Sequence, residues 1–170
     1  MGRMQALAPG TLLVATPALG DSNFEGTVVL LVDVGAEGAL GVVLNRVSEV
    51  DLPPAIEDWR SLASQPAKLF VGGPVSTNSA LAVGALRSGV DEPPGFRVFH
   101  DSLGLVDLDA PPELLQGAMS ELRVFAGYAG WGAGQLEGEI EEDSWYVVPA
   151  LPSDVFRAST ASLRRDVLRR

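Results

Sequence analysis

The segment of residues 27–34, with the sequence TVVLLVDV, constrains the fold more than any other part of the chain. It is rich in β-branched residues and apolar on both faces that a strand would present, so it predicts a central strand covered on two sides. Gly35 and Gly38 then predict a tight turn, and residues 39–45 return as the second strand of a hairpin. A chain with such a hairpin must supply packing layers above and below it.

Short apolar runs recur along the chain and are bounded by turn-forming residues, which is typical of β-strands. These strands follow one another in pairs instead of alternating with long helices. This order predicts an α+β fold with a mixed, largely antiparallel sheet. Apart from the central hairpin, the runs span residues 11–15, 68–71, 80–86, 97–100, 104–108, 122–128 and 145–148.

Helices are predicted between some of these strands. In residues 53–62 the apolar side chains recur at three-residue spacing after a proline. Residues 111–119 begin with two prolines and a glutamate, which suit the first turn of a helix. Leu136 and Ile140 are spaced to share one side of a short helix.

The length of 170 residues, at 17.8 kDa, corresponds to one ordinary domain, so we expect residues 1–170 to form a single domain. Residues 153–170 predict a basic C-terminal helix, capped by Ser153, that docks on this domain. Its apolar residues share one face and its arginines lie on the other. The apolar face consists of Phe156, Leu163 and Val167.

The charge of the chain is strongly acidic and unevenly distributed. Its 22 acidic and 12 basic side chains give a formal net charge of −10, and five of the basic ones lie within residues 153–170. A protein that binds nucleic acid presents a basic face to the phosphates, whereas the body of this chain would repel them. We therefore expect no direct, sequence-specific binding to DNA.

No segment of the sequence predicts membrane attachment or export. The longest apolar run, residues 28–32, is far shorter than the roughly 18 residues of a spanning helix. The first residues, Met1-Gly2-Arg3-Met4, are followed by Pro9-Gly10, which interrupts the apolar core of a signal peptide. The absence of cysteine excludes disulfides and thiolate chemistry and suits a reducing compartment, so we expect a cytoplasmic location.

The densest glycine segment, residues 126–137 with the sequence AGYAGWGAGQLE, joins a predicted strand to a predicted helix. Two interpretations stay open. Glycine amides at the start of a helix can bind an anion, although Gln135 stands where a dinucleotide fingerprint needs glycine. Alternatively, the glycines let a loop pass closely beneath Tyr128 and Trp131, in which case Gly130→Val would cost about 1–3 kcal/mol.

Histidine and carboxylate residues supply no catalytic or metal-binding set. His100 is the single histidine and is next to Asp101 and Ser102 in sequence. Neighbouring side chains on a strand point to opposite faces, so these three cannot form a triad. The five carboxylates within residues 137–143 would diverge around a helix. We expect a solvated acidic helix, no metal and no cofactor.

Asn45-Arg46 follows the central hairpin. Arg46 is a rare basic residue in an acidic body, so it either pairs with a nearby carboxylate or offers its planar guanidinium to an anion. The first interpretation makes Arg46 structural, and the second makes it part of a binding surface.

Five motifs stand in a characteristic order along the chain. They are Pro17-Ala18-Leu19-Gly20-Asp21 with Phe24; Thr27-Val28-Val29; Gly38-Ala39-Leu40-Gly41-Val42-Val43-Leu44-Asn45-Arg46; Gly72-Gly73-Pro74-Val75; and Gly127-Tyr128-Ala129-Gly130-Trp131-Gly132 through Gly134-Gln135-Leu136-Glu137. Together they resemble the YqgE/AlgH family of bacterial proteins over residues 10–148. The resemblance implies a cytosolic protein whose bifurcated sheet curls into a pseudo-barrel with flanking helices. The chain departs from the family at Val34, where relatives often carry histidine, and at Val47, where proline is usual.

The resemblance implies a function only in outline, since the AlgH name refers to a proposed role in transcriptional regulation of alginate production. With no nucleophile, base or ligand set in the sequence, we expect a binding or regulatory domain that acts through a protein or a small anionic ligand. The alternative is a hydrolase or transferase acting on a small phosphorylated substrate. The candidate binding surface consists of Asp21, Asn45, Arg46, Tyr128, Gly130, Trp131, Gly132, Gly134, Gln135 and Glu137.

Overall fold

The computed structural model describes residues 7–170. The segment Met1-Gly2-Arg3-Met4, in which the sequence predicts no export signal, lies outside the described residues. Regular structure in residues 7–170 consists of ten strands, three short α-helices and two 3₁₀ helices. In chain order they are β1 (Thr11–Ala15), β2 (Val28–Gly35), β3 (Gly38–Val43), β4 (Val47–Asp51), a 3₁₀ helix (Pro54–Leu62), β5 (Lys68–Val71), β6 (Val75–Leu86), β7 (Phe96–His100), β8 (Leu103–Val106), a second 3₁₀ helix (Pro112–Leu114), β9 (Met119–Gly132), α1 (Gln135–Glu141), β10 (Trp145–Pro149), α2 (Pro152–Val155) and α3 (Leu163–Leu168).

The ten strands form one branched sheet. Strands β10, β1, β2, β3, β9, β6, β8 and β7 are neighbours in that order, while β5 also pairs with β9, and β4 pairs with β5. The pairing of β5 with β9 is parallel and the other pairings are antiparallel. The sheet curls into a half-barrel accompanied by short helices, which confirms the predicted α+β fold with a mixed, bifurcated sheet.

The sheet divides at β9, because two partners share one edge of this strand. Residues 129–132 of β9 pair with β3, whereas Phe125 and Ala126 pair with β5. At this fork the backbones approach so closely that a Cβ atom on Gly72 would lie 2.4 Å from the carbonyl oxygen of Gly127. The glycines are therefore needed for backbone contact as well as for turning the chain.

Three clusters of buried side chains lie on the two surfaces of the curled sheet. The inner cluster takes residues from both halves of the sheet, including Leu30 of β2 and Val83 of β6. The aromatic cluster lies on the outer face of the first half, and a third cluster around Trp59 covers the second half. β2 contributes alternate residues to the first two clusters, as predicted for a strand covered on both sides. The aromatic cluster consists of Leu13, Ala15, Val29, Leu31, Val43, Ala129, Trp131, Leu136, Ile140 and Trp145, with Leu19 and Phe24 packed against it.

The C-terminal segment forms two short helices, α2 and α3, so the prediction of one helix over 153–170 is wrong. Nor does Ser153 cap a helix, because α2 already begins at Pro152. The carbonyl groups of Val155 and Arg157, which a continuous helix would use internally, accept hydrogen bonds from Arg123. The predicted apolar residues Phe156, Leu163 and Val167 nevertheless all pack in the inner cluster.

Among the other predicted helices, α1 (Gln135–Glu141) confirms the short helix predicted around Leu136 and Ile140, and the remaining two differ from the prediction. The predicted helix over 53–62 is a 3₁₀ helix, and the one over 111–119 is reduced to the 3₁₀ turn Pro112–Leu114. This turn cannot continue as a helix, because Met119 already pairs with Leu86 of β6. None of the helices in residues 7–170 has the length and apolar character to span a bilayer.

Several strands, in contrast, extend beyond their predicted ends. β6 begins at Val75 rather than residue 80, and β9 continues to Gly132. β4 was not predicted, because its sequence, VSEVD, carries polar residues and most of its side chains are exposed at an edge of the sheet.

Candidate functional site

The candidate site is built around residues 16–27, which connect β1 to β2 and are called the strap below. Asn45 accepts a hydrogen bond from the backbone N–H of Val28 at 3.0 Å and donates one to the carbonyl oxygen of Gly26 at 3.0 Å. Val28 is fully buried, so its amide depends on this protein partner. Asn45 therefore fixes the end of the strap where it enters β2.

Arg46 fixes the middle of the strap. Its Nη1 atom donates to the carbonyl oxygen of Asn23, and its Nη2 atom donates to that of Glu25 at 3.5 Å. Asp21 closes the preceding turn by accepting the N–H of Asn23 at 2.8 Å. In the structure the Arg46 guanidinium thus contacts backbone carbonyls and not the nearby carboxylate that the first interpretation expected.

Phe24 of the strap covers the aromatic cluster. Its ring stacks on that of Trp131, with 6.2 Å between centroids and 26° between planes, and meets Trp145 edge-on at 5.8 Å. The two tryptophan rings meet edge-on at 6.0 Å. Such pairs contribute about 0.5–1.5 kcal/mol each beyond their burial. Through Phe24, the strap joins the part of the candidate surface around Arg46 to the part around Trp131.

Glu139 of α1 binds both tryptophans of the aromatic cluster, although it was not among the predicted site residues. Its Oε1 atom accepts hydrogen bonds from the indole N–H groups of Trp131 at 3.0 Å and Trp145 at 2.9 Å. Its Oε2 atom accepts one from Gln135 at 3.1 Å, whose own Oε1 accepts the N–H of Gly132 at 3.0 Å. From the sequence, Glu139 is expected to be one of the solvated carboxylates of an acidic helix. The need of two buried indoles for an acceptor is the signal that could have identified it.

The glycine-rich segment is the end of strand β9 and not a loop. Gly130 and Gly132 lie within β9, whereas Gly134 precedes α1 with a φ of +76°. The nearest atom to a Cβ on Gly130 would be Tyr128 Cε1 at 3.9 Å, so the close packing predicted there is wrong. Glu137 is exposed on α1.

Tyr128 and Trp131 face different clusters. Tyr128 packs against the inner cluster, as does Phe125 three residues earlier, while Trp131 lies in the aromatic cluster. Regular alternation would place Phe125 and Tyr128 on opposite faces. A φ of +75° at Gly127 and a register shift between β6 and β9 account for the exception. The structure therefore does not bring Tyr128 together with Trp131.

His100 ends β7, the last strand in the order of the sheet, and the curl of the sheet brings it beside Gly10, just before β1. Its Nε2 atom is 3.3 Å from Oδ2 of Asp101, and its ring fills the space that a side chain on Gly10 would occupy. Within residues 7–170, no three histidine, aspartate or glutamate side chains are grouped so that they could hold a metal ion.

A cleft of about 460 Å³ opens at the turn of the β2–β3 hairpin, beside Trp131, and is called the hairpin cleft below. Asp33 lies opposite Leu40 in the pairing of β2 with β3, and both line the cleft. Glu37 lines it from the turn. Among the ion pairs of residues 7–170, none includes Asp33 or Glu37. The cleft therefore combines free carboxylates with apolar side chains.

Comparison with known sequences identifies close relatives. The family model described as AlgH-like (DUF179) matches residues 12–170. The chain is 56% identical over 164 residues to a UPF0301 protein of Streptomyces coelicolor, covering 95% of this chain and 85% of that protein. It is 46% identical over 168 residues to a UPF0301 protein of Mycobacterium tuberculosis, covering 98% of this chain and 83% of that protein.

Two solved structures share the fold over most of the chain. A crystal structure of a protein from Corynebacterium diphtheriae is 35% identical in sequence, with a TM-score of 0.92, covering 97% of this chain and 87% of that one. The solution structure of the AlgH protein from Pseudomonas aeruginosa is 28% identical, with a TM-score of 0.70, covering 97% of this chain and 90% of that one.

Proposed function

Since the chain belongs to the AlgH-like family of bacterial proteins, we propose that it is a binding or regulatory domain and not an enzyme. Its partner in this proposal is a cytoplasmic protein that docks on the outer surface of the strap, α1 and the β2–β3 hairpin. Asn45, Arg46 and Trp131 support that surface from within. Among the residues predicted to form the candidate binding surface, the exposed ones are Asp21, Gly130, Gly132, Gly134, Gln135 and Glu137.

One observation carries this proposal: the polar side chains of the candidate site are bonded to the chain itself. Asn45 and Arg46 hold backbone groups of the strap and of β2, and Glu139 holds two indoles. A catalytic acid, base or nucleophile must be free to reach the substrate. A binding surface needs only a rigid exterior, which these internal bonds provide.

The regulatory role that we propose acts through a protein and involves no sequence-specific contact with duplex DNA. The net charge of −10 opposes such contact. In the C-terminal segment, Arg157 and Arg170 pair with aspartates, and Arg164 donates to a backbone carbonyl. An anisotropy titration of the full chain at about 150 mM salt should show only weak, salt-sensitive attachment. Sequence-specific binding near 10⁻⁸ M, which is typical of dedicated DNA readers, would contradict this part of the proposal.

A small anionic ligand or a phosphorylated substrate is the alternative. Arg46 would have to release the strap in order to bind it. A thermal-shift panel of phosphorylated metabolites and nucleotides tests this alternative, because a ligand at about 100 times its Kd stabilises the fold by about 2.7 kcal/mol. We expect a flat panel. A shift that Arg46→Ala abolishes and the exposed control Arg97→Ala preserves would favour the alternative.

A photoreactive amino acid tests the protein partner directly. At Glu137, exposed on α1, we expect it to give one discrete cross-linked adduct in living cells. At the control position Glu113, an exposed glutamate in the second 3₁₀ helix, we expect none. The captured protein is then purified and titrated against the full chain. Identical adducts from both positions, no adduct from Glu137, or no binding in the titration would contradict the proposal.

A further inference from the structure

Three strands of the sheet pair on one side only within residues 7–170, and their free edges are protected to different degrees. These strands are β4, β7 and β10. β4 carries Glu49 and Asp51, β7 carries Arg97, and a register shift interrupts the pairing of each. β10, with the sequence WYVVP, has no charged side chain and pairs with β1 in regular register over its five residues. Charges and irregular pairing keep a free edge from adding another strand, and β10 has neither.

The hydrogen bonds between β1 and β10 show which backbone groups of β10 face away from the sheet. The N–H of Thr16 donates to the carbonyl oxygen of Ser144, and the N–H of Ala150 donates to that of Gly10, each at 3.0 Å. Bonded and non-bonded pairs alternate in an antiparallel ladder, so the even-numbered residues of β10 bond to β1. The N–H and C=O groups of Val147 therefore point outward. Within residues 7–170, no hydrogen bond from outside this ladder reaches either group.

Two apolar side chains are exposed along this edge, one on each face of the sheet. Tyr146 is 46% exposed and Val147 is 45% exposed. Val147 lies on the same face as Trp145 of the aromatic cluster, and Tyr146 lies on the same face as Val148, which packs against the inner cluster. An added β-strand would cover both faces and pair the outward backbone groups, which a helix or a small molecule would not do.

The free edge of β10 is complementary to itself. An antiparallel copy related by a two-fold axis at Val147 places this residue opposite its own counterpart, so that each N–H donates to the C=O of the other. The same register places Tyr146 opposite Val148 of the second copy. Pro149 has no N–H and its carbonyl oxygen accepts a hydrogen bond from Arg170 at 2.9 Å, so the pairing is confined to the centre of the strand.

The two ends of β10 have opposite charges beside them. Arg170 bonds to the carbonyl oxygen of Pro149, so the last residues of the chain lie beside the end of β10. Arg169 there is exposed and takes part in no ion pair within residues 7–170. Antiparallel pairing places the acidic end of one copy against the basic end of the other, which opposes the repulsion between two chains of net charge −10. The exposed carboxylates before β10 are those of Glu141, Glu142 and Asp143.

We infer that a second copy of this chain pairs with β10, forming a two-fold dimer in which one sheet continues through both chains. The interface is small, with two central backbone hydrogen bonds and two exposed apolar side chains from each copy, so we expect a Kd of about 10–100 μM. No residue of β10 lines the hairpin cleft or belongs to the candidate binding surface. The inference therefore goes beyond the proposed function and does not depend on it.

Sedimentation equilibrium of the full chain, from about tenfold below to about tenfold above this range of Kd, tests the inference. We expect the average mass to rise from that of a monomer to that of a dimer and no further. Hydrogen exchange at the amide of Val147 should slow as the protein concentration rises, while the amide of Val47, on the exposed edge strand β4, should not change. A chain that stays monomeric would overturn the inference. Protection of Val147 at every concentration would mean that the edge is covered within one chain, and would overturn it likewise.

The variant Val147→Pro removes the outward N–H and keeps the bonds to β1, so we expect the Kd to rise about tenfold. Val47→Pro is the matched control at the free edge of β4. The N–H of Val71 donates to the carbonyl oxygen of Arg46, so the next residue, Val47, also points its N–H outward. The control should leave the Kd unchanged, and thermal unfolding checks that both variants fold. An unchanged Kd for Val147→Pro, or equal losses for the two variants, would contradict pairing through β10.

Charge reversal tests the antiparallel arrangement without altering the strand. Glu142→Arg and Arg169→Glu each place like charges against each other at both ends of the pairing, so each alone should weaken the dimer about fivefold or more. The double variant restores opposite charges and should recover most of the affinity. Recovery excludes misfolding as the cause of the single losses. Additive losses in the double variant would overturn the antiparallel pairing.

Discussion

Two segments of the chain are held on the sheet by arginines, one inside the curl and one outside. Arg123, only 1% exposed, donates from Nη1 to the carbonyl groups of Val155 and Arg157 at 3.1 and 2.8 Å. Its Nη2 atom donates to the carbonyl of Gln65 at 2.7 Å. Arg46, near the surface, donates to two carbonyl groups of the strap. The bonding chemistry is the same at both places, and the surroundings differ.

Burial decides how much each arginine contributes to the stability of the fold. Desolvation lowers the pKa of Arg123 to about 10, and its guanidinium lies 4.2 Å from the ring centre of Phe70. Among the carbonyl groups that it holds, the one of Val155 belongs to a fully buried residue, so losing the arginine leaves this group without a partner. The carbonyl groups of the exposed strap can return to water. The inner contact therefore fixes the fold, whereas the outer one can change at a small cost.

The largest effect is expected from Arg123→Met, which keeps an apolar stem and removes all three hydrogen bonds. We expect the free energy of unfolding to fall by about 3–5 kcal/mol, because the buried carbonyl group of Val155 and two partly buried ones lose a charged donor. Chemical denaturation measures this loss, with the exposed Arg97→Met as control within about 0.5 kcal/mol. A loss below about 1 kcal/mol would remove the distinction between the two arginines.

A single transition in the unaltered chain would support the single-domain prediction for residues 1–170.

An intermediate effect is expected at the aromatic cluster, from Glu139→Ala. The indoles of Trp131 and Trp145 lose their shared acceptor, so the free energy of unfolding should fall by about 1–3 kcal/mol. Tryptophan fluorescence during denaturation follows the change. The matched control is Glu137→Ala, on the exposed side of the same helix, which should stay within about 0.5 kcal/mol of the unaltered chain. Equal losses for the two variants would show that the indole bonds contribute nothing.

A smaller effect is expected from Arg46→Ala, which releases the middle of the strap. The free energy of unfolding should fall by about 0.5–1.5 kcal/mol, since the freed carbonyl groups are hydrated. Hydrogen exchange should accelerate within residues 16–27 and stay unchanged in the inner cluster. Faster exchange throughout the sheet would mean that this outer contact also fixes the fold.

The smallest effect is expected from Gly130→Val. The glycine is exposed in a strand with open space around it, and valine suits strands, so stability should change by less than about 0.5 kcal/mol. Thermal unfolding compares this variant with Gly38→Ala. We expect Gly38→Ala to be destabilised, because a Cβ atom at Gly38 would lie 2.0 Å from the backbone carbonyl oxygen of Trp131. A destabilised Gly130→Val variant with an unaffected Gly38→Ala variant would reverse this interpretation of the glycines.

Local patterns in the sequence were sufficient for the strands that are buried on both faces. β2 has an apolar residue at nearly every position and is rich in valine, a combination that favours a strand covered on both faces. Local patterns were insufficient for β4. Its sequence is polar, and it forms a strand only because the fork in the sheet places it beside β5. The helix expected over 111–119 failed for a related reason, since pairing of Met119 with Leu86 overrode the helical start.

For the candidate site, the sequence by itself determined which residues are unusual: a paired asparagine and arginine after a hairpin, and tryptophan among glycines. It also determined the acidic charge, which is additive and independent of the fold. Only the tertiary structure decided what Arg46 contacts, that Glu139 serves two tryptophans, and that Tyr128 shares the inner cluster with Phe125. These outcomes depend on contacts between residues far apart in sequence and on the register shift between β6 and β9 beside Gly127. Such a shift reverses the face of every following side chain and leaves little trace in local periodicity.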